Sequence, residues 1–206
     1  MSDTSVFMNS IIAGAVAIGA AVFLYTQSTS STGSAEDGPG PNLEITVSGE
    51  ASGRIVIDLD QDHAPKHVAQ IVRLAQQGAF DNVVFHRVID GFMAQTGDVQ
   101  FGKAGGDLSL AGTGGSELPN IPAEFSDVPF LRGTVGMARA NDPDSANSQF
   151  FIMFAPGDFL NGKYTVIGHV IEGMEVVDRI KRGDPDLNGA IADGKPDVMT
   201  RVVVRD

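Results

Sequence analysis

The most informative stretch of this chain is FHRVIDGFMAQTGD, residues 85–98. It sets one permanently charged side chain, Arg87, among large apolar side chains and one amide, Gln95. A guanidinium cannot deprotonate at working pH, so it donates hydrogen bonds under all conditions. No nucleophile and no cluster of metal ligands stands beside it in the sequence, so covalent and metal-assisted chemistry lack their usual groups. The stretch therefore predicts a pocket that binds a neutral ring and a neutral amide.

Length and composition indicate one folded domain with an appendage. The chain has 206 residues, of which 42% are apolar and 19% charged, as is usual in globular proteins. A net charge of −12, with 14 scattered lysines and arginines, argues against nucleic acid as a partner, because phosphates require a basic surface. Cysteine is absent, which excludes disulfides, thiolate catalysis and zinc sites built from cysteine.

Three patterns that could suggest a bound nucleotide or ion are incomplete. The glycine-rich stretch at residues 105–115 lacks the Gly-Lys-Ser or Gly-Lys-Thr that ends a phosphate-binding loop. The stretch from Asp184 to Gly189 imitates the start of a calcium loop without its ligand-bearing end. His63, His67 and His169 are too far apart in sequence to indicate a metal site. We therefore expect no metal and no cofactor.

The N-terminal region carries an apolar run over residues 6–25, and the first basic residue of the chain is Arg54. As a helix that rises about 1.5 Å per residue, the run is about 30 Å long, the thickness of a hydrocarbon core. Residues 1–25 are therefore predicted to form a single apolar helix that anchors the chain in a membrane through residues 6–25. A cleaved signal peptide is the alternative, although Asp3 stands where a basic region is usual. A buried or disordered N-terminus is a third interpretation.

Residues 26–42 are polar, small and aperiodic, which is typical of a flexible linker. Pro and Gly near its end mark the start of a folded domain, predicted over residues 43–206. An N-terminal apolar segment followed by such a linker favours export, with the domain anchored to the membrane and facing the periplasm. Secretion to the periplasm after signal cleavage is the alternative. Flanking charges that would set the orientation are missing from the sequence.

Short segments with a period of two recur through the domain and predict β-strands. Leu43–Val47 alternates apolar and polar residues, and Gly53–Leu59 does so after a turn. A helix is predicted to begin at Pro65 and to stop at Gly78, because apolar residues between them recur every three or four positions. Further strands are predicted at Val83–Ile89, Phe92–Thr96, Thr134–Ala138, Phe150–Phe154, Val166–Ile171 and Met199–Val204, and a second helix at Met174–Lys181. This pattern indicates a mainly β protein, a closed or nearly closed antiparallel barrel capped at its ends.

Five sequence blocks, in a fixed order, resemble the cyclophilin family of peptidyl-prolyl cis-trans isomerases. The blocks are residues 85–98, Gly112–Gly115, Gly133–Ala138, Ser148–Ile152 and Phe159–Lys163. Residues 122–125 and 168–174 fit the same pattern, which is most similar to bacterial members of the family. The resemblance runs from about Leu43 to the C-terminus. It implies an eight-stranded antiparallel barrel capped by two α-helices, with an active groove on its outer face, that works without a cofactor as a monomeric catalytic domain.

The same resemblance implies roles for individual residues. Arg87, Gln95 and Phe151 are implied to be catalytic. Substrate-binding residues are implied at Phe92, Met93, Ala138, Arg139, Phe159, Leu160 and Tyr164. Three of these, Phe159, Tyr164 and Arg139, depart from the tryptophan, histidine and asparagine that are common in the family. His86 is interpreted as a structural histidine beside the site.

The chemistry of such a site follows from the peptide bond. Rotation about it breaks the sharing of the nitrogen lone pair, at a barrier of about 18 to 20 kcal/mol, and makes uncatalysed exchange at prolyl bonds slow. In the twisted state the lone pair is localised on nitrogen, so a fixed donor such as Arg87 binds that state preferentially. The expected substrates are proline-containing peptides and unfolded proteins. The alternatives are a module that binds proline-containing segments without turnover and a general chaperone, each tethered to the membrane.

Overall fold

The structure is a computed structural model that describes residues 36–192 and 194–205. The predicted anchor at residues 6–25 and the predicted linker up to residue 35 lie outside the described residues. Within the described part of the chain, no helix is long and apolar enough to cross a membrane.

Nine strands and two α-helices make up the described fold. The strands are β1 Asn42–Ser48, β2 Gly53–Leu59, β3 Val83–Val84, β4 Arg87–Ile89, β5 Met93–Thr96, β6 Thr134–Met137, β7 Phe150–Met153, β8 Val166–Glu172 and β9 Val198–Arg205. The helices are α1 Pro65–Gln76 and α2 Met174–Val177. The strands form one antiparallel sheet in the order β3-β9-β1-β2-β8-β6-β7-β5-β4. The predicted mainly β architecture with two helices is confirmed.

The predicted strand Val83–Ile89 is two strands, so the prediction of eight strands is wrong by one. β3 pairs with β9, whereas β4 pairs with β5. Between them, the amide of Phe85 donates to the carbonyl of Asp197 at 2.9 Å, and the amide of Ile191 donates to the carbonyl of His86 at 3.3 Å. The two intervening residues thus leave the ladder and bond to other segments. Because β3 and β4 stand at opposite ends of the sheet order, this short connection brings the two ends of the sheet together.

Both helices begin where the sequence predicts, and α1 ends at Gln76, just before the predicted stop at Gly78, whereas α2 ends earlier than predicted. α1 begins at Pro65, which suits a first helical turn because proline lacks an amide hydrogen that would be unpaired there. The next two amides donate to the carboxylate of Glu124, which caps the helix from a neighbouring loop. α2 ends at Val177 instead of the predicted Lys181. The amide of Lys181 donates at 2.7 Å to the carboxylate of the buried Asp197, so it is not available to a helical carbonyl.

Side chains from the two faces of the sheet form two separate apolar clusters. In β7, Phe150 and Ile152 belong to the main core, which also contains the buried apolar residues of α1 and α2. Phe151 and Met153 alternate with them along the strand and therefore lie on the opposite face. The smaller cluster, called here the outer cluster, consists of Met93, Phe130, Phe151, Met153, Leu160 and Val166.

Residues 36–41, at the end of the predicted linker, lie against β2. The amide of Gly38 donates to the carboxylate of Asp58 at 2.9 Å, and the amide of Leu59 donates to the carbonyl of Pro41 at 3.1 Å. Asp58 is only 6% exposed although its register partner on the neighbouring strand β8 is the half-exposed His169. The segment therefore helps to cover a carboxylate on the barrel surface.

Candidate active site

The register of the sheet places the three predicted catalytic residues in one row. Arg87 on β4 is paired directly with Gln95 on β5, and Gln95 is paired directly with Phe151 on β7. The row continues to Gly136 on β6. Residues directly opposite each other in an antiparallel pair project from the same face of the sheet. Arg87, Gln95 and Phe151 therefore share one face, the face that carries the outer cluster.

Arg87 is half-buried, and three of its N–H groups are engaged. Its Nε donates to the carbonyl of Asn188 at 3.0 Å, its Nη2 to Oδ1 of Asn188 at 3.1 Å, and its Nη1 to Oε1 of Gln95 at 3.0 Å. Burial lowers the pKa of the guanidinium from its ordinary value, but arginine remains protonated at any working pH. Since a guanidinium has five N–H groups, these bonds leave one hydrogen on each terminal nitrogen for a ligand.

A chain of amides continues from Gln95 into the neighbouring loop. Nε2 of Gln95 donates to Oε1 of Gln149 at 2.9 Å, and Nε2 of Gln149 donates to the carbonyls of Gly112 and Gly114 at 3.0 and 2.8 Å. The amides of the same two glycines donate to the carboxylate of the buried Asp98 at 2.8 and 3.0 Å. The loop carbonyls thus fix the orientation of both glutamines, which in turn present Oε1 of Gln95 to Arg87.

The residues Gln149, Asp98 and Asn188 were not predicted as site residues. Gln149 and Asp98 lie within the blocks that carry the family resemblance, which is the one signal that pointed to them. Asn188 lies in the Asp184 to Gly189 stretch that the sequence identified only as an incomplete calcium loop. Its Asn-Gly pair indicates a turn, but not which side chain that turn contacts.

The floor of the pocket is apolar and tightly packed. Met93, Phe151 and Leu160 are 1%, 5% and 5% exposed. The ring of Phe151 stacks on Phe130 at 5.8 Å between centroids and meets the edge of Tyr164 at 6.0 Å. Met93 therefore supports the floor from within the outer cluster, whereas Phe151 is the register partner of Gln95.

Gly136 allows this packing because it has no side chain. A Cβ at this position would lie 2.6 Å from ring atoms of both Phe130 and Phe151, far inside van der Waals contact. Any larger residue would push the two rings away from the strand. The glycine in the block Gly133–Ala138 is thus explained by the approach of two aromatic rings.

The rim of the pocket is formed by aromatic side chains and by Arg139. Phe159, which is 63% exposed, contacts the half-buried Phe92 at 5.4 Å between ring centroids. The guanidinium carbon of Arg139 lies 4.4 Å from the centre of the Tyr164 ring, a cation–π contact. Arg139 also donates to the carbonyls of Ala140 and Lys163, both at 2.9 Å. The guanidinium of Arg139 is therefore bound to other groups of the rim.

A cavity of about 260 Å³ lies beside this pocket. It is lined by Gln95, Gly112, Thr113, Gly114, Ala138, Arg139, Ala140, Ser145, Asn147, Ser148 and Gln149. It therefore contains one residue that is predicted to be catalytic, Gln95, and two that are predicted to bind substrate, Ala138 and Arg139. Among the described residues, no three His, Cys, Asp or Glu side chains gather in a way that could hold a metal ion.

The chain matches the family model described as cyclophilin type peptidyl-prolyl cis-trans isomerase over residues 42–204. The chain belongs to the cyclophilin family. This cyclophilin is 56% identical over 154 residues to a probable peptidyl-prolyl cis-trans isomerase of Brucella suis, a match that covers 74% of this chain and 78% of the relative. It is 35% identical to a peptidyl-prolyl cis-trans isomerase-like 1 of Aspergillus niger, with 73% of this chain and 90% of the relative covered.

Solved cyclophilin structures share the fold of this chain. A cyclophilin from Hirschia baltica superposes with a TM-score of 0.63 at 24% identity, covering 79% of this cyclophilin and 73% of that protein. A cyclophilin type peptidyl-prolyl cis-trans isomerase from Cryptosporidium parvum, crystallised in the presence of the dipeptide Ala-Pro, gives a TM-score of 0.66 at 24% identity, covering 80% and 99%. The expectation of a cyclophilin fold is thus confirmed, with nine strands in place of eight.

Proposed function

We propose that this cyclophilin accelerates rotation about Xaa-Pro bonds in peptides and unfolded proteins, with Arg87 as the electrostatic catalyst. The observation that carries the proposal is a guanidinium held by three hydrogen bonds beside an aromatic pocket on the same face of the sheet. The proline ring fits against Phe151, Leu160 and Phe92. Gln95 and the backbone at Ala138 and Arg139 hold the flanking peptide.

In this mechanism Arg87 donates a hydrogen bond to the prolyl nitrogen as the peptide bond twists. The nitrogen becomes a better acceptor only when its lone pair is no longer shared with the carbonyl, so the bond is stronger in the transition state than in either planar isomer. Because Gln95 and Asn188 already fix the guanidinium, no reorganisation is needed at that moment. The pocket keeps the ring still while the preceding carbonyl rotates.

The magnitude required shows that one hydrogen bond is not sufficient. A millionfold acceleration corresponds to about 8 kcal/mol of differential binding. A hydrogen bond to a charged group contributes about 1.5 to 3 kcal/mol. The remainder comes from holding the proline ring and from excluding water around the rotating peptide bond. The buried apolar residues Phe151 and Leu160 promote both effects.

The decisive experiment compares the exchange rate of an Xaa-Pro peptide with wild-type protein, Arg87→Ala and Arg87→Lys in a protease-coupled assay. We expect Arg87→Ala to lower kcat/KM by at least about a hundredfold, as for the loss of one transition-state donor. Arg87→Lys keeps the charge but lacks the planar fork, so it should retain only a small part of the activity. Circular dichroism confirms that the variants are folded.

The alternatives predict different results in the same experiment. If wild-type protein leaves the exchange rate at that of buffer while binding proline-containing peptides, the domain is a binding module. If it suppresses aggregation of unfolded proteins equally with Arg87 or alanine at this position, it is a chaperone of general type. Because every side chain of the pocket comes from one chain, we propose that the catalytic domain acts as a monomer.

For the location of the domain, we propose a membrane anchor at residues 6–25 with the catalytic domain in the periplasm. Support comes from the length of the apolar run and from its lack of charged residues. Cell fractionation with tags at either end of the chain, followed by protease treatment of intact and opened cells, tests the proposal. A full-length membrane protein whose domain is digested only after the outer envelope is opened supports it. A shortened soluble form indicates signal cleavage, and protection until the inner membrane is opened indicates the opposite orientation.

A further inference from the structure

We propose that Asn188 is a positioning residue that holds the guanidinium of Arg87 in its catalytic orientation. The inference rests on the proposed function, since it concerns the same arginine. Asn188 belongs to the stretch from Asp184 to Gly189, whose resemblance to a calcium loop led to no function. The structure assigns this stretch a different task, which is to present two oxygen atoms to Arg87.

Both oxygens of Asn188 contact Arg87. The backbone carbonyl accepts from Nε at 3.0 Å and the side-chain Oδ1 accepts from Nη2 at 3.1 Å. Nε and Nη2 lie on the same edge of the planar guanidinium, so two acceptors on one residue fix both its position and its plane. Gln95 fixes the other terminal nitrogen. Arg87 is therefore held from two sides.

The segment around Asn188 is itself joined to the strand that carries Arg87. The amide of Gly183 donates to the carbonyl of Val88 at 2.9 Å, and the amide of Val88 donates to the carbonyl of Gly189 at 2.7 Å. Arg87 and Ala190 also form an isolated antiparallel bridge. These bonds extend the sheet beyond β4, which is an end strand. The distance between Asn188 and Arg87 is thus set by backbone pairing.

An asparagine suits this position for two reasons. Its φ is 54°, in the left-handed region that asparagine enters more readily than most residues with a side chain. In that conformation its amide still donates to the carbonyl of Pro185, while its carbonyl and Oδ1 both reach Arg87. Glycine would accept the same φ but would lack the second oxygen.

This difference gives a selective variant, Asn188→Gly, which keeps the backbone conformation and removes one acceptor from Arg87. The matched control is Asp186→Ala, which removes an exposed side chain from the same turn without touching Arg87. We expect Asn188→Gly to lower kcat on the order of tenfold while KM changes less than about threefold, because the lost bond orients a catalytic donor rather than the substrate. Asp186→Ala should leave both constants unchanged.

A measurement that does not depend on turnover accompanies the kinetics. The Nε–H signal of Arg87, identified by its absence in Arg87→Lys, reports the motion of the guanidinium through ¹⁵N relaxation. We expect its order parameter to fall from the rigid range, about 0.85, to below about 0.6 in Asn188→Gly and to stay rigid in Asp186→Ala. If Asn188 were needed only for folding of the turn, its substitution would not selectively lower the order parameter of the Arg87 side chain.

The proposal is overturned if Asn188→Gly keeps kcat within about twofold of wild type, or if the order parameter of Arg87 is unchanged. Failure of the proposed function has a different signature, since wild-type protein itself would then exchange Xaa-Pro bonds at the rate of buffer. An additional double variant, Arg87→Lys with Asn188→Gly, isolates the coupling. Lysine at position 87 has no planar guanidinium for the two oxygens of Asn188 to orient, so the second substitution should have little further effect on kcat.

Discussion

His86 lies directly before Arg87 and is 8% exposed. Burial lowers its pKa from 6.5 to about 4, and the charge of Arg87 acts in the same direction. The imidazole is therefore uncharged at neutral pH and does not repel the guanidinium of Arg87. A Cβ at Gly112 would lie 2.9 Å from Cδ2 of His86, so the ring packs closely beneath the loop that orients Gln149. The interpretation of His86 as a structural histidine agrees with this position.

The lowered pKa of His86 predicts a dependence of stability on pH. In the unfolded chain the imidazole binds a proton below pH 6.5, whereas in the folded protein it does so only below about 4. Between these values the unfolded state binds more protons, so stability is lost as the pH falls through this window. We expect His86 to account for about 2 kcal/mol of the loss in unfolding free energy between pH 7.5 and pH 5.

Urea denaturation of wild type and His86→Leu at the two pH values checks this expectation. The variant keeps an apolar side chain of similar volume and cannot titrate, so its stability should fall by about 2 kcal/mol less than that of wild type over the same interval. All carboxylates that titrate in the wild type also titrate in the variant. Equal losses in the two proteins would contradict the assignment of a low pKa to His86.

Which residues of the site could be predicted depended on how far apart they lie in the chain. Arg87 and Gln95 fall within one stretch of sequence, and their opposition across β4 and β5 follows from a tight hairpin. Asn188 lies 101 residues from Arg87, and its contact depends on a backbone bridge at Ala190 that no local pattern encodes. Sequence reasoning therefore predicted the row of Arg87, Gln95 and Phe151 but not Asn188, which bonds to Arg87.

At the scale of elements, hydrophobic alternation predicted where strands lie but not where one changes partner. Val83–Ile89 has the period of one strand, yet Phe85 and His86 bond to segments more than a hundred residues away in sequence. The change from β9 to β5 as neighbour is a property of the closed sheet, not of the segment. The helix α2 is a similar case, because the amide of Lys181, the last residue of the predicted helix, donates to the carboxylate of Asp197 directly before β9.

The strand β7 shows why hydrophobicity alone does not assign an aromatic residue to the site or to the core. Phe150 and Phe151 are adjacent, equally apolar and almost equally buried, but they face opposite sides of β7. Composition cannot distinguish them. The family resemblance placed Phe151 in the pocket, and the register with Gln95 and Gly136 agrees, since it aligns Phe151 with the polar row.

At the scale of the whole molecule, the described part of the chain uses different apolar residues to stabilise the fold and to form the pocket. The main core holds the sheet and the helices together, while the outer cluster forms the floor of the pocket. The segment at residues 36–41 contacts β2, which is separated from β4 by β8, β6, β7 and β5 in one direction around the sheet and by β1, β9 and β3 in the other. Changes at the start of the domain should therefore alter stability without reaching Arg87.

Two shortened chains test this separation. A chain that begins at residue 36 contains all described contacts and should show the wild-type kcat/KM and unfolding free energy. A chain that begins at Asn42 loses the bonds from Gly38 to Asp58 and from Leu59 to Pro41, so we expect it to be less stable by about 1 to 2 kcal/mol with unchanged kcat/KM. Urea denaturation and the exchange assay measure the two quantities. A loss of activity in the first chain would mean that catalysis depends on residues before 36, and a loss of activity without a loss of stability in the second would connect the segment at residues 36–41 to the pocket.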